Sequence, residues 1–347
     1  MTATCIQLPD LHARLAGATT PEAVFGSLPA PQGVQLRKCF LEMVRATHPD
    51  RNPANKHLAE RAFALLVHWR DRAQERIDRG TYGTTTREPR LVRTPRATYR
   101  VSEPAIRADY ADIFAAESGA GPALCFKITR DPCDNPLAFQ EARALQALQN
   151  SRGTGYFPTL IESFVAQDAA VRRRTTIYDA RRAPHTLADV RRACPAGIDP
   201  RDAAWMFNRL LEALFHAHNA SLIHGAITPE NVRIDIENHG LILAEWGYSV
   251  APGEPLSAIS APFESWYPPE VFARKAATPA LDISMAARCL DYLLAGNAGP
   301  FGPLLRACLL PAPARRPNDA GALREDVGSL LRARFGKPVF RAFSMPR

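Results

Sequence analysis

A series of short motifs between residues 125 and 317 follows a fixed order, and this order constrains the fold more than any other feature of the sequence. Each motif combines apolar residues with one charged or polar residue. Such residues are rare inside proteins unless they are paired. The motifs are centred on Lys127, Glu141, Asn231, Glu245, Glu270, Asp282 and Arg316. Each motif alone is a weak signal, and the order and spacing of the whole series are the informative features.

The secondary-structure pattern changes along this part of the chain. Short apolar runs predict strands at 123–128, 157–165 and 175–178, with a helix at 136–149 between them. After residue 200 longer helical patterns dominate, at 201–219, 280–295 and 319–334. Strands followed by helices predict an α+β body of two lobes.

The loop after the first long helix reads His224-Gly225-Ala226-Ile227-Thr228-Pro229-Glu230-Asn231. Together with the other motifs, it resembles the catalytic loop of a protein kinase. The resemblance implies a two-lobed kinase-like fold in which Lys127 pairs with Glu141 at a nucleotide. It also implies that His224 and Asp282 hold the loop, and that Glu270 and Arg316 form a buried structural pair.

Several positions depart from the kinase pattern. Ala226 replaces the base Asp, Thr228 replaces the loop Lys, and Glu245 replaces the metal-binding Asp. The segment 105–120, which should cover the phosphates, has no glycine before Gly119. We therefore expect a pseudokinase without enzyme activity and without a resident cofactor. If ATP with Mg²⁺ bound, Lys127, Glu141, Asn231 and Glu245 would form the nucleotide site, with Asn231 and Glu245 holding the metal. The alternative is a divergent active kinase or a nucleotide-binding regulatory enzyme.

Two amphipathic helices are predicted before this body, at 34–47 and 57–79. An apolar stripe of Leu36, Phe40, Met43 and Val44 marks one face of the first helix. His48-Pro49-Asp50 lies between the two helices. By itself such a triplet marks only a helix end, where proline stops the helix. Basic residues occupy the other face of the first helix, at Arg37, Lys38 and Arg45.

Residues 20–83 resemble the J-domain of DnaJ-type co-chaperones, in which two antiparallel helices hold a His-Pro-Asp loop. The resemblance implies docking on a DnaK-type chaperone and stimulation of its ATP hydrolysis. His48, Pro49 and Asp50 would be the trigger. Arg37, Lys38, Arg45 and Arg51 would steer the domain onto an acidic surface. The kinase-like body would then bind an unidentified client or partner.

The net charge of +8 is concentrated at the front of the chain. Residues 1–100 hold 16 basic and 9 acidic residues. Part of this excess lies in an Arg-, Thr- and Pro-rich segment, 84–100, which we expect to be a linker. Nucleic-acid binding through Arg90, Arg93, Arg96 and Arg100 is a second alternative. It is disfavoured because only Tyr82 and Tyr99 could stack on bases.

The predicted fold class is thus α+β: an N-terminal all-α J-domain followed by a two-lobed protein-kinase-like fold. The predicted domains are 1–83, the linker 84–100, and 101–347 with lobes at 101–180 and 181–335. No apolar run is long enough for a membrane span, and the first residues do not resemble a signal peptide. Seven cysteines without a C-x-x-C pair exclude a zinc ribbon and favour the cytoplasm.

Overall fold

The computed structural model describes residues 8–18, 20–48, 51–78, 80–83, 89–168, 171–179, 183–337 and 339–345. The chain divides into two units. The first unit is Met1–Arg90 with Ser102–Ala108, and the second is Leu91–Val101 with Asp109–Arg347. The boundaries predicted at residues 83 and 101 lie near these division points without coinciding with them.

Between residues 8 and 83, the described residues of the first unit form the helices α1 Leu8–Gly17, α2 Pro21–Phe25, α3 Gln32–Thr47 and α4 Lys56–Asp78. Thr20 caps α2 by accepting a hydrogen bond from the backbone N–H of Ala23, and Pro21 fills the first helical position. Helices α3 and α4 agree with the helices predicted at 34–47 and 57–79. They are joined by eight residues and contribute to the same core.

The core of the first unit is formed by residues of all four helices and includes the predicted apolar stripe of α3. Leu36 is buried there, and Phe40, Met43 and Val44 pack against the same core half-buried. Sequence analysis did not predict α1, although its buried Leu8, Leu11 and Leu15 have helical spacing. Helix α1 packs on α4, where the indole N–H of Trp69 donates to the Leu15 carbonyl at 2.9 Å.

A six-stranded sheet opens the second part of the fold. Its strands are β1 Arg90–Arg93, β2 Thr98–Arg107, β3 Ala111–Glu117, β4 Leu124–Thr129, β5 Leu160–Asp168 and β6 Val171–Asp179. They lie in the order β1-β2-β3-β4-β6-β5. Helix α5, Asn135–Gln149, connects β4 to β5. Strands β4, β5 and β6 and helix α5 occupy the segments predicted for them.

The linker predicted at 84–100 is wrong where strands occupy it, over residues 90–93 and 98–100. Val92 and Tyr99 pack into the core of the sheet, and Tyr99 is almost fully buried. Within residues 84–100 each of these two strand segments turns only one apolar residue inward, Val92 in β1 and Tyr99 in β2, so this part of the sequence offers too little alternation for a strand to be recognised. Residues 84–88 of the predicted linker lie outside the described residues.

The rest of the second unit is mostly helical. It comprises β7 His185–Thr186, α6 Leu187–Ala193, α7 Pro200–Asn219, β8 Val232–Asp235, β9 Gly240–Leu243, α8 Pro269–Phe272, α9 Pro279–Leu294, α10 Gly302–Cys308 and α11 Ala320–Phe335. Helices α7 and α9 form the centre of its core, and nearly every residue of α9 is buried. The three long helices match their predictions. Within the described residues, no helix is long and apolar enough to cross a membrane.

Candidate functional site

Lys127 is the centre of the candidate site. It lies on β4, where it faces Ile113 of β3 and Thr176 of β6 in the antiparallel register, and its side chain is only 1% exposed. Its ammonium group donates three hydrogen bonds of 2.9 Å each, to the hydroxyl of Tyr110 and to carboxylate oxygens of Glu141 and Glu245. An ammonium group has three donors, so all the donors of Lys127 are used.

Glu141 reaches Lys127 from α5, as the predicted pairing requires. Its second carboxylate oxygen accepts a hydrogen bond from the Tyr110 hydroxyl at 3.0 Å. Burial raises the pKa of Glu141, and the ammonium of Lys127 opposes this effect. For Lys127 itself, burial lowers the pKa, but Glu141 and Glu245 outweigh burial and raise it. The structure therefore brings the two predicted partners together as a buried ion pair.

Glu245 makes a contact that the sequence did not reveal. Its carboxylate binds Lys127, while Asn231, the other predicted metal ligand, donates its side-chain amide to the Ala226 carbonyl at 2.9 Å. Glu245 also has a left-handed backbone, with φ 65° and ψ 57°, which costs about 1–3 kcal/mol for a residue other than glycine. Among the residues described, no group of three or more metal-ligating side chains is found.

Tyr110 is the residue that sequence analysis missed. It ends the short turn, residues 108–110, that joins β2 to β3 within the segment predicted to cover the phosphates. Its ring packs edge-on to Tyr248 at 6.0 Å between centroids, and its hydroxyl lies between Lys127 and Glu141. Desolvation, followed by the charge of Glu141, raises the pKa of Tyr110 well above its ordinary value, so its hydroxyl remains protonated. The local sequence shows only the lack of glycine before Gly119, which does not mark Tyr110 as a partner of Lys127.

Neighbouring contacts fix the position of Tyr110. The Tyr248 hydroxyl donates a short hydrogen bond to Asp109, the residue before Tyr110. Gly247 lies so close that a Cβ atom there would come within 2.6 Å of the Tyr110 hydroxyl. Contacts from Tyr248 and Gly247 therefore hold Tyr110 in the cleft beside Lys127.

The loop 224–231 places Ala226 in an apolar environment. Ala226 is fully buried and packs in a small cluster with Tyr110, Ala138 and Tyr248. The hydroxyl of Thr228, at the position of the loop lysine in the kinase pattern, is buried and has no hydrogen-bond partner among the residues that the structure describes. Neither residue presents a group that could accept a proton from a substrate.

Asp282 holds the backbone of the same loop from α9. Its carboxylate accepts hydrogen bonds from the backbone N–H of His224 at 2.8 Å and of Gly225 at 2.9 Å. The Nδ1 atom of His224 accepts from the Ala226 N–H, which leaves Nε2 to donate to the Ala244 carbonyl at 2.8 Å. Burial lowers the pKa of His224, in keeping with this neutral form. Both residues lie where their predicted holding role requires them.

Glu270 and Arg316 form the predicted ion pair. Both side chains are buried, and the guanidinium contacts both oxygens of the carboxylate. The same guanidinium donates to the carbonyls of Leu310 and Pro311. The pair therefore joins α8 to the segment before α11.

The loop between α3 and α4 contains the other group of predicted site residues. His48 is exposed and follows directly after the end of α3, while Pro49 and Asp50 lie outside the described residues. Asn52 fastens this loop by donating its amide to the carbonyls of Ala46 and His48, both at 3.0 Å. The predicted steering residues are exposed; they are Arg37, Lys38, Arg45 and Arg51.

Comparison with known proteins identifies the fold of the larger part of the chain. The structure is similar to that of PK-1, the kinase of Cydia pomonella granulovirus, with a TM-score of 0.52. The two are 14% identical, and the match covers 65% of this chain and 92% of the viral kinase. No family model matches the chain. The chain thus contains a protein-kinase-like fold, and the J-domain resemblance of its first helices stays a prediction.

Proposed function

We propose that this protein is a J-domain-type co-chaperone whose kinase-like body binds a protein partner and transfers no phosphate. One observation carries the second half of this proposal. All three donors of Lys127 are used by Tyr110, Glu141 and Glu245, so the lysine has none for a nucleotide phosphate. The first half rests on the loop at His48 and on the exposed basic face of α3.

The electrostatics of the cleft also oppose a nucleotide. One ammonium faces two carboxylates, so the cluster is net negative when both are ionised. A phosphate group would have to enter against this charge and displace the buried ring of Tyr110. Buried charges interact strongly because the local dielectric is low. ATP with Mg²⁺ is therefore not expected to bind.

Phosphate transfer at the loop 224–231 would be impaired even if a nucleotide bound. A positioned general base contributes roughly 10²–10⁴ in rate, and Ala226 has no group for this role. Its burial among Tyr110 and Tyr248 leaves no place for a substrate hydroxyl. A divergent active kinase would need a base from elsewhere in the cleft.

The helices of the first unit present the surface that the co-chaperone proposal needs. Arg37, Lys38 and Arg45 are exposed on α3. Arg45 follows Lys38 by seven residues, about two helical turns, so the two lie on the same side of the helix, with Arg37 adjacent to Lys38. Asn52 holds the loop backbone at His48, which reduces the entropy lost on docking. An acidic surface on a DnaK-type chaperone is the complementary partner.

The co-chaperone part of the proposal is tested by measuring whether the chain stimulates the ATP hydrolysis of a DnaK-type chaperone. We expect the full chain to raise the single-turnover rate and His48→Gln to abolish the increase. His57→Gln is a matched control, because His57 is also fully exposed and lies near the start of α4. Equal stimulation by the wild type and His48→Gln would refute the co-chaperone proposal.

The proposal that the kinase-like body transfers no phosphate is tested by measuring nucleotide binding and phosphate transfer. We expect ATP with Mg²⁺ to leave the thermal unfolding of the full chain unchanged, since a ligand at 100 times its Kd would stabilise by about 2.7 kcal/mol. Transfer of labelled γ-phosphate to the chain or to a generic protein substrate should also be absent. Transfer that is lost in Lys127→Met would instead establish an active kinase.

A further inference from the structure

The hairpin of β1 and β2 carries arginines that the proposed function does not use. Residues 89–102 contain four arginines and no acidic residue. Arg93, Arg96 and Arg100 are exposed. Among the described residues, Arg93 and Arg100 make neither an ion pair nor a side-chain hydrogen bond. The positive charge of this face is therefore not neutralised within the part of the chain that the structure describes.

The hairpin is held in place by its neighbours. The hydroxyls of Thr94 and Tyr99 both donate to one carboxylate oxygen of Glu162, at 2.9 and 2.8 Å. Arg96 donates a short hydrogen bond to the Ile161 carbonyl. These contacts tie the turn between β1 and β2 to the start of β5, where the register of the sheet shifts. The arginines are thus presented on a fixed surface and not on a flexible linker.

Alternation along the two strands places an apolar side chain among these arginines. Val92 and Tyr99 point into the core of the sheet, so Leu91, Arg93 and Arg100 point outward. Leu91 is 59% exposed. The outer face of the hairpin therefore combines an exposed leucine with two guanidinium groups that pair with no other described residue. We refer to Leu91, Arg93 and Arg100 as the hairpin face.

We infer that the hairpin face binds an acidic polypeptide segment of a partner protein. Guanidinium groups bind carboxylates through two parallel hydrogen bonds, and an aliphatic side chain beside them suits an apolar residue of the same segment. A fixed binding surface loses little conformational entropy when it is occupied. Nucleic acid fits this face poorly. Tyr99, the one aromatic residue of the hairpin, is buried and cannot stack on a base.

Fluorescence anisotropy with a labelled peptide tests this inference on the full chain. The probe is a synthetic twelve-residue peptide of alternating Glu and Leu, and a peptide with Lys in place of Glu serves as its charge control. We expect Arg93→Gln/Arg100→Gln to weaken binding of the acidic peptide about five-fold or more, since each exposed pair contributes modestly. Leu91→Ser should weaken binding while the salt dependence stays as in the wild type.

The matched control is Arg306→Gln/Arg315→Gln, which removes two exposed arginines elsewhere on the second unit and lowers the net charge equally. Equal loss in both double variants would overturn the inference, because binding would then follow total charge alone. Tighter binding of a twelve-residue oligothymidylate than of the acidic peptide, lost on Arg93→Gln/Arg100→Gln, would instead assign the hairpin face to nucleic acid. Unchanged thermal unfolding in both variants verifies that the fold is retained.

Discussion

Replacing Tyr110 by Phe removes one hydroxyl from the centre of the cleft and keeps the ring. The hydroxyl accepts from Lys127 at 2.9 Å and donates to Glu141 at 3.0 Å, and both partners are buried and charged. A hydrogen bond to a charged group contributes about 1.5–3 kcal/mol to stability. Since Lys127 keeps two carboxylates and Glu141 keeps its ion pair, we expect a total loss of about 2–4 kcal/mol.

Urea unfolding of the full chain, followed by tryptophan fluorescence, measures this loss. Three of the four tryptophans lie in the second unit, and Trp246 is fully buried near the cleft. Tyr267→Phe is the matched control, because the Tyr267 hydroxyl accepts a hydrogen bond from the neutral backbone N–H of Ser260 and has no charged partner among the described residues. That variant should lose about 0.5–1.5 kcal/mol. An equal or smaller loss for Tyr110→Phe would refute the reasoning that Tyr110 is a structural partner of the charged pair.

Three further predictions concern other parts of the chain. Ala226→Asp should not restore phosphate transfer and should cost at least about 2 kcal/mol in urea unfolding, because the new carboxylate would lie among Tyr110 and Tyr248. Glu270→Gln should lower stability by about 3–5 kcal/mol, measured as a fall in the unfolding midpoint, because it leaves Arg316 charged and buried. Burial, and then the hydrogen bond to Glu162, raises the pKa of Tyr99 to about 12. The stability that its protonated hydroxyl contributes should therefore be lost as pH rises from 10 to 12. Tyr99→Phe should flatten this loss when unfolding is measured across that range.

The sequence was informative wherever local pattern and motif order decide structure. The apolar residues of α7, α9 and α11 are spaced as in helices, and the structure has helices at these places. The ion pairs of Lys127 with Glu141 and of Glu270 with Arg316 could be predicted because each residue lies in a recognisable motif.

What the sequence could not supply depends on contacts over long separations. Tyr110 meets Glu141 and Gly247 only because the turn before β3 folds into the cleft. Nothing in its local sequence marks that contact. The turn of the β1–β2 hairpin is likewise tied down by Glu162, more than sixty residues away. Its Thr-, Pro- and Arg-rich composition suggests a linker when these contacts are unknown.

The hydrogen bonds of Lys127 connect the two parts of the proposed function, a kinase-like body that transfers no phosphate and a co-chaperone that needs a binding surface for its partner. In a kinase-like cleft a lysine serves a nucleotide only if one of its donors remains available, and here Tyr110 and Glu245 take the donors that Glu141 leaves. The same contacts link the strand β4, the helix α5, the turn before β3 and the loop at Glu245 into one buried network. Breaking a buried charged pair costs more than the pair contributes when intact, so such a network resists partial opening. A body of this kind is suited to presenting fixed surfaces, which is the property that a co-chaperone needs in the part that selects its partner.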